Sequence, residues 1–339
     1  MARNGNRADS MRLRRKLLGA IALLAALLTA LTLGGRWLEK QYEKSESRGE
    51  LQPRYGDDTV LEYEGSRYRL RRNMITLLLM GVDKSGGSER TGYRSGGQAD
   101  FLRLVVMDHG NQRVTQLAID RDTMTPITTL GVLGNRSGVR TAQISLSHAF
   151  GDGGEESCHL TVDAVSGLLF DVPVDFYAAM NLDGIPVLND AVGGVTVTLA
   201  DDFTALDPVM TVGSTLKLQG KQAEYYVRSR RNLNIGTNEA RMARQETYIA
   251  QLIAQLHECQ EADYGFTGRL YDALGEYLVT DLSRGQMINE AWAVRAYERA
   301  ALIQPEGVHQ VGTDGFMQFI PDQDALRRTV MELFYEEVK

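Results

Sequence analysis

The sequence predicts an α/β/α sandwich on a central mixed β-sheet, preceded by one N-terminal transmembrane helix. Three observations carry this expectation. Short apolar runs bounded by glycine alternate with longer segments whose apolar residues recur every three to four positions, the mark of strands and helices in one layered domain. One pair of runs is joined by hairpin chemistry, so the sheet is mixed and not purely parallel. Near the start, Leu17 to Gly35 is a stretch of 19 residues without a charge.

As a helix, that stretch spans about 28 Å, enough to cross a bilayer. Residues 1–16 carry Arg3, Arg7, Arg12, Arg14, Arg15 and Lys16 against Asp9, a net of +5, which leaves −12 for the rest of a chain of net −7. A basic tail before an apolar segment places the N-terminus in the cytoplasm and the C-terminal body outside it, in a single-pass cell-membrane protein. A cleaved leader would end in a small-x-small site, and Thr32-Leu33-Gly34 matches it poorly, so 17–35 reads as an uncleaved signal anchor. Residues 36–72, rich in Glu, Arg, Lys, Ser and Tyr without a sustained apolar period, read as an extracytoplasmic stalk. One ectodomain then occupies 73–339, with no break or repeat that divides it.

Within it, 74–80 is a buried strand ending at Gly81, and 101–107 and 113–119 are two more, joined through Asp108-His109-Gly110-Asn111. A helix follows at 161–170, a strand at 174–180, a helix at 185–192 stopped by Gly193-Gly194, and a β-branched strand at 195–199. Segments 221–228 and 239–258 are helical, the second with Ile249, Leu252, Ile253 and Leu256 on one face. A helix at 284–301, a strand at 309–319 and a helix at 322–335 complete the chain.

Composition removes several classes. With 43% hydrophobic and 24% charged residues, 34 Gly and 7 Pro, the chain is globular. Its 2 Cys lack any C-x-x-C or Cys/His spacing, so no zinc module or disulfide scaffold exists and any metal uses oxygen ligands. Cys158 and Cys259 sit in amphipathic segments where a lone cysteine is ordinary, and their pairing is left open. The motifs G-x-S-x-G, H-E-x-x-H, G-x-x-x-x-G-K-[ST] and G-x-G-x-x-G are absent, and His148 reads as a packing residue. The acidic body lacks the basic field that nucleic acid requires.

Two clusters remain. A hairpin turning at residues 110–111 sets Asp100 opposite Arg121. Asp83 leaves the first strand at the same sheet edge, so Asp83, Asp100, Arg121 and Asp122 are expected to converge, and strand-end carboxylates suit a hard cation such as Mg²⁺. The second cluster is Arg228, Arg230, Arg231, Arg241 and Arg244, with no Lys among them; the planar guanidinium binds phosphate bidentately. Arg241, Arg244 and Gln245 fall on one face of a helix capped by Thr237 or Asn238, where free N–H groups favour an anion. One of these arginines is expected to be structural.

In order along the chain, Leu77-Leu78-Leu79-Met80-Gly81-Val82-Asp83, Ala99-Asp100, Ala118-Ile119-Asp120-Arg121-Asp122-Thr123, Asp190-Ala191-Val192-Gly193-Gly194-Val195, Val227-Arg228-Ser229-Arg230 and Arg241-Met242-Ala243-Arg244-Gln245 resemble the LytR-CpsA-Psr proteins. The similarity runs from about residue 73 to 258 and more thinly to the C-terminus. The resemblance implies a phosphotransferase that moves a glycopolymer such as teichoic acid or capsule, as its sugar phosphate, from a polyprenyl pyrophosphate carrier to peptidoglycan at a muramic acid hydroxyl. It also implies an apolar groove for the lipid and a Mg²⁺ or Mn²⁺ cofactor.

Carried over by position, Asp83 and Asp100 match the metal-site acids, and Arg121, Arg228, Arg230, Arg241 and Gln245 match residues that hold the pyrophosphate. Asp122, or Asp100 where metal does not engage it, is assigned to assist the acceptor hydroxyl. The chain departs from the family pattern at Asn238, where an acid is usual, and at Gln98-Ala99, where Arg-Ser is usual. Both departures remove charge near the site and bear on the orientation of Arg241 and on acceptor preference. Two other readings of the same residues stay open: a pyrophosphatase with water as acceptor, and a membrane regulator that binds polyprenyl phosphate without turnover.

Overall fold

Alternation along the first long strand gives the sheet its two faces. In the computed structural model, which describes residues 60–84, 96–131, 133–229 and 238–338 apart from the side chains of 238–242, Leu78 and Met80 enter the main core while Leu79 and Gly81 line a large cavity. The segments 1–16 and 17–35 lie outside the described residues. Among the described residues no helix is long and apolar enough to cross a membrane.

The elements in chain order begin with β1 (Val60–Tyr63) and β2 (Ser66–Leu70), an antiparallel hairpin. Its turn residues Glu64 and Gly65 take φ of 49° and 82°, the left-handed pair that a tight hairpin needs. This corrects the last part of the expected stalk over 36–72, since paired strands stand at 60–70, before Asn73, while 36–59 lie outside the described residues. The half-buried side chains of β2 find a partner far away in sequence, which local periodicity does not reveal.

Next come β3 (Met74–Val82), β4 (Ala99–Asp108) and β5 (Arg113–Ile119). The β4–β5 register pairs Leu102 with Ile119 and Asp108 with Arg113, as a turn centred at 110–111 requires. Asp108 closes that turn by accepting from the backbone N–H of Asn111 at 2.9 Å and from its side-chain amide at 2.7 Å. A second hairpin, β6 (Met124–Leu130) and β7 (Arg136–Gln143), was not anticipated: β7 is mostly exposed and polar and carries no strand-like apolar alternation.

Helix α1 (Glu155–Leu168), strand β8 (Phe176–Asn181) and helix α2 (Gly184–Ala191) follow. Gly193 and Gly194, at φ of 80° and 96°, terminate α2; a Cβ on Gly194 would stand 2.6 Å from the carbonyl oxygen of Leu218. A small antiparallel pair, β9 (Thr196–Thr198) and β10 (Thr215–Lys217), leads to α3 (Lys221–Arg228) and α4 (Asn238–Ala262).

Then come α5 (Phe266–Leu274), β11 (Leu278–Thr280), α6 (Arg284–Ala293) and β12 (Glu298–Arg299). The expected helix over 284–301 therefore ends at Ala293, gives one 3₁₀ turn over Val294–Ala296 and becomes a sheet edge. Likewise the strand expected over 309–319 is a hairpin, β13 (Gly307–Val311) and β14 (Met317–Pro321), turned at Gly315 with φ 81°. Helix α7 (Gln323–Phe334) and β15 (Tyr335–Glu337) close the chain.

The central sheet has the order β11-β8-β3-β4-β5-β12, with β8 and β12 parallel to their inner neighbours and the other pairs antiparallel. One face packs Leu78, Leu104 and Leu117 against Val165 of α1 and Leu326, Val330 and Phe334 of α7. Ile75, Met107, Val114 and Phe176 pack with Leu282 and Val294 in a separate cluster. Tyr248 and Leu252 of α4 join a third cluster with β9 and α3. Cys158, buried, and Cys259, half-buried, are both free.

The C-terminus is stitched to the first hairpin. β15 pairs with β2, and Arg69 Nε reaches Glu336 Oε1 at 2.8 Å, while Arg71 donates to the carbonyls of Tyr335 and Glu332 at 3.0 Å. Phe334, 1% exposed, plugs the core beneath this seam. Replacing Phe334 by Ala is expected to cost about 3–5 kcal/mol, read as a lower denaturant midpoint at unchanged slope.

Candidate functional site

Asp100 stands at the start of β4 and Arg121 just past the end of β5, so antiparallel pairing brings them to the same sheet edge. Arg121 Nη1 forms an ion pair with Asp100 Oδ1. Its Nη2 donates to Gln98 Oε1 at 2.9 Å, and its Nε lies 3.4 Å from Asp122 Oδ1. A guanidinium carries five N–H donors, so one arginine can hold carboxylates and an anion together. Gln98 is one of the positions where the sequence departs from the family pattern, and here it holds Arg121 by a neutral acceptor.

Asp122 is 8% exposed. Burial pushes its carboxyl above the usual aspartate range and the charge of Asp120 adds to this, while Arg121 and His309 pull it back. Gln143 of β7 donates to Asp122 Oδ1 at 2.9 Å and to the Met317 carbonyl at 2.7 Å. Asp120 Oδ1 accepts the Asp122 N–H at 2.8 Å, and Asp120 Oδ2 meets His309 Nε2 at 2.9 Å. Sequence reasoning gave no role to Gln143, Asp120 or His309. Asp120 lay inside a recognised run, but the partners 21 and 189 positions away carry no local signal.

A cavity of about 1330 Å³ opens from this cluster. Asp83, Asp100, Arg121, Arg228 and Gln245 line it together with Leu79, Leu182, Ile185, Ile249, Leu252 and Leu256. Arg228, at the end of α3, reaches Asp83 Oδ1 at 3.6 Å and Glu224 Oε1 at 3.1 Å. Gln245 donates to the Val227 carbonyl at 3.0 Å, tying α4 to α3. Arg103 also lines the cavity, bound to Glu246 of α4 at 2.9 Å and to Gln116 at 3.3 Å. Arg230, Arg231 and Thr237 lie outside the described residues, as does the side chain of Arg241.

Arg244 is the structural arginine. It is 4% exposed, paired with Asp201, and donates to the carbonyls of Tyr226 at 3.1 Å and Ser229 at 2.6 Å. The expected shared face of Arg244 and Gln245 toward an anion is therefore corrected: burial beside Asp201 and Phe203 draws Arg244 into the packing. His148 is a buried packing residue, with Nδ1 at 3.1 Å from the Gly97 carbonyl oxygen.

Among the described residues no three His, Cys, Asp or Glu gather into a metal site. Asp83 and Asp100 both line the cavity, each paired with an arginine, and Mg²⁺ commonly takes one or two carboxylates and completes its shell with water and substrate phosphate.

Fold and site thus define a class: a mixed α/β protein whose central mixed sheet carries a largely apolar cavity headed by a guanidinium–carboxylate cluster. Residues 39–334 match the LytR_cpsA_psr family model, and the chain belongs to that family. It is 28% identical over 227 residues to a protein of Halalkalibacterium halodurans named polyisoprenyl-teichoic acid–peptidoglycan teichoic acid transferase TagU, covering 67% of this chain and 66% of that protein. It is 30% identical over 190 residues to biofilm regulatory protein A of Streptococcus mutans, covering 54% of this chain and 44% of the relative. The chain thus spans between under half and just under two thirds of these relatives' length. The crystal structure of TagV from B. subtilis shares the fold at a TM-score of 0.57 and 21% identity, over 78% of this chain and 98% of that one.

Two substitutions separate structural from site arginines. Arg244→Ala, which strands Asp201 in the interior, is expected to cost about 3–5 kcal/mol. Arg228→Ala, on an exposed pair, is expected to change stability by about 0–1 kcal/mol in the same denaturation experiment.

Proposed function

We propose that this protein transfers a glycopolymer, as its sugar phosphate, from a polyprenyl pyrophosphate carrier to a muramic acid hydroxyl of peptidoglycan, held to the outer face of the cell membrane by residues 17–35. The observation that carries the reading is that one cavity joins an apolar length to a cationic head. A polyprenyl pyrophosphate is divided in the same way: its hydrocarbon is matched to Ile249, Leu252 and Leu256, and its phosphates to Arg121, Arg228 and Gln245. The name of the Halalkalibacterium relative supports teichoic acid as the glycopolymer class.

In this reaction the acceptor oxygen attacks the phosphorus that bears the sugar, the bond to the bridging oxygen breaks, and polyprenyl phosphate departs. Phosphoryl transfer asks a protein mainly for positioning and charge neutralisation. Arg121 and Arg228 bind and orient the phosphates. Asp122, buried and with its carboxyl raised above the usual aspartate range, is assigned as the base that takes the proton of the acceptor hydroxyl. Asp83 and Asp100 would hold Mg²⁺ or Mn²⁺, which supplies further neutralisation of the phosphate charge when bound. Arg230 and Arg241 are assigned to the same phosphates by their position in the family motifs.

The test is turnover of a polyprenyl-pyrophosphate-linked saccharide by the full chain in proteoliposomes, with Mg²⁺ or chelator and with peptidoglycan fragments added or withheld. Metal- and acceptor-dependent release of polyprenyl phosphate is expected, reduced about 10²–10³-fold in Arg121→Ala. Asp122→Asn is expected to lose about 10²–10⁴-fold, and the acid limb of the wild-type pH profile to lie above the ordinary aspartate range. Release of glycan phosphate to water without acceptor would establish a pyrophosphatase instead. Tight binding without turnover in every arm would establish a lipid-binding regulator.

A further inference from the structure

The C-terminal hairpin grips the turn that carries Arg121 and Asp122 at several points. Phe319 N–H donates to the Asp122 carbonyl at 2.8 Å, and Thr123 and Phe319 form a parallel bridge. Gln143 spans Asp122 and the Met317 carbonyl. His309, packed on the Phe319 ring at 4.8 Å between centroids, donates from Nε2 to Asp120 Oδ2. The other oxygen of Asp120 accepts the Asp122 N–H, and the Asp120 carbonyl accepts from the Thr123 N–H at 3.0 Å and hydroxyl at 2.6 Å.

We propose that His309 is a positioning residue for the transfer reaction, acting through Asp120 to fix the Arg121-Asp122-Thr123 turn. This deepens the transferase reading and rests on it, because the group being positioned is Asp122. The carboxylate of Asp120 is the hinge of the arrangement. One of its oxygens is spent on the backbone of Asp122, and the other is left to a donor that arrives from a hairpin some 190 residues later. Without His309 the Asp120 carboxylate can rotate toward water, and the N–H of Asp122 loses a fixed acceptor. A displacement of about 1 Å in a reacting group suffices to cost about 10²-fold in rate.

The same contacts are electrostatic. The charged groups acting on Asp122 are Arg121 and Asp120 from its own turn and His309 from β13, with neutral Gln143 approaching from β7. Asp120 pushes the Asp122 carboxyl up and His309 pulls it down. Removing either partner therefore shifts the acid limb in opposite directions, an effect that loss of packing alone does not produce.

The experiment measures kcat and KM for the lipid-linked donor against pH, in the full chain, for His309→Ala, His309→Gln, Asp120→Asn and Asp122→Asn, each checked for folding by melting temperature. His309→Ala is expected to lower kcat about 10–10²-fold with donor KM unchanged, and to move the acid limb to higher pH. Asp120→Asn is expected to lower kcat similarly and move the limb to lower pH. His309→Gln, which keeps a donor but no charge, is expected to recover most of kcat while the limb stays high. Wild-type kcat and limb in His309→Ala and Asp120→Asn, beside an inactive Asp122→Asn, overturn the proposal. Full turnover in Asp122→Asn overturns the assignment of the base instead. Positioning is then read from kcat alone, and an unchanged kcat in His309→Ala overturns it too. If His309→Ala does not fold, the His309→Gln limb and the Asp120→Asn profile decide.

Discussion

The head of the groove depends on how one guanidinium is held. Arg121 is less than a quarter exposed along its side chain, and a partly buried cation persists only where acceptors surround it. Those acceptors come from three places: Asp100 at the start of β4, Gln98 just before it, and Asp122 in the turn after β5. The antiparallel register of β4 and β5 makes them neighbours. A shift of one residue in that register would send every alternate side chain to the opposite face and dissolve both the site and the core. The register itself is set at the far end of the hairpin, where Asp108 locks Asn111. The chemistry at one edge of the sheet is therefore anchored at the other.

The groove is the second consequence of the same sheet. Its floor includes Leu79 and Gly81 of β3, and its walls take Ile249, Leu252 and Leu256 from α4. Tyr248 and Leu252 already pack α4 against β9 and α3, and a fixed groove wall calls for a polar fastening as well. It has one in Arg244, whose buried pair with Asp201 and bonds to two carbonyls clamp the helix close to its N-terminal end. Burying an ion pair contributes little net stability but is costly to break, which suits a fixed geometry better than it suits a thermodynamic gain. Gln245, the next residue, then reaches both the cavity and the Val227 carbonyl from a settled position.

Much of this was legible in the chain. The runs at 74–80, 101–107 and 113–119 showed as strands because they are short, apolar and bounded by turn residues, and the turn at 108–111 alone placed Asp100 beside Arg121. The long helix showed through its 3–4 spacing. What escaped were elements whose reason is tertiary. β2 is paired by β15 from the far end of the chain, β7 is an exposed polar strand supported by β6, and β11 is a three-residue strand recruited by β8. The site divides likewise. Arg121, Asp100 and Asp83 sit at strand ends that periodicity locates, whereas Gln143 and His309 reach the turn from hairpins whose docking no local pattern records. Arg244 shows the limit from the other side: its spacing put it with the anion-binding residues, and burial against Asp201 decided otherwise.

The placement of Asp122 follows from competing fields. An aspartate beside an arginine would ordinarily be held ionised and weakly basic. Here burial and the adjacent charge of Asp120 act against Arg121 and His309, and the balance leaves the carboxyl above its usual range. A proton acceptor is most effective when it is ionised at the working pH yet as basic as that condition allows. Asp100 lines the cavity and pairs directly with Arg121, whose charge it balances, while Asp122 is not among the residues lining the cavity and meets Arg121 at 3.4 Å. Two acids on one guanidinium thus stand in two different environments, set apart by distance and burial. The C-terminal hairpin, by holding Asp120 in place, keeps that separation from relaxing.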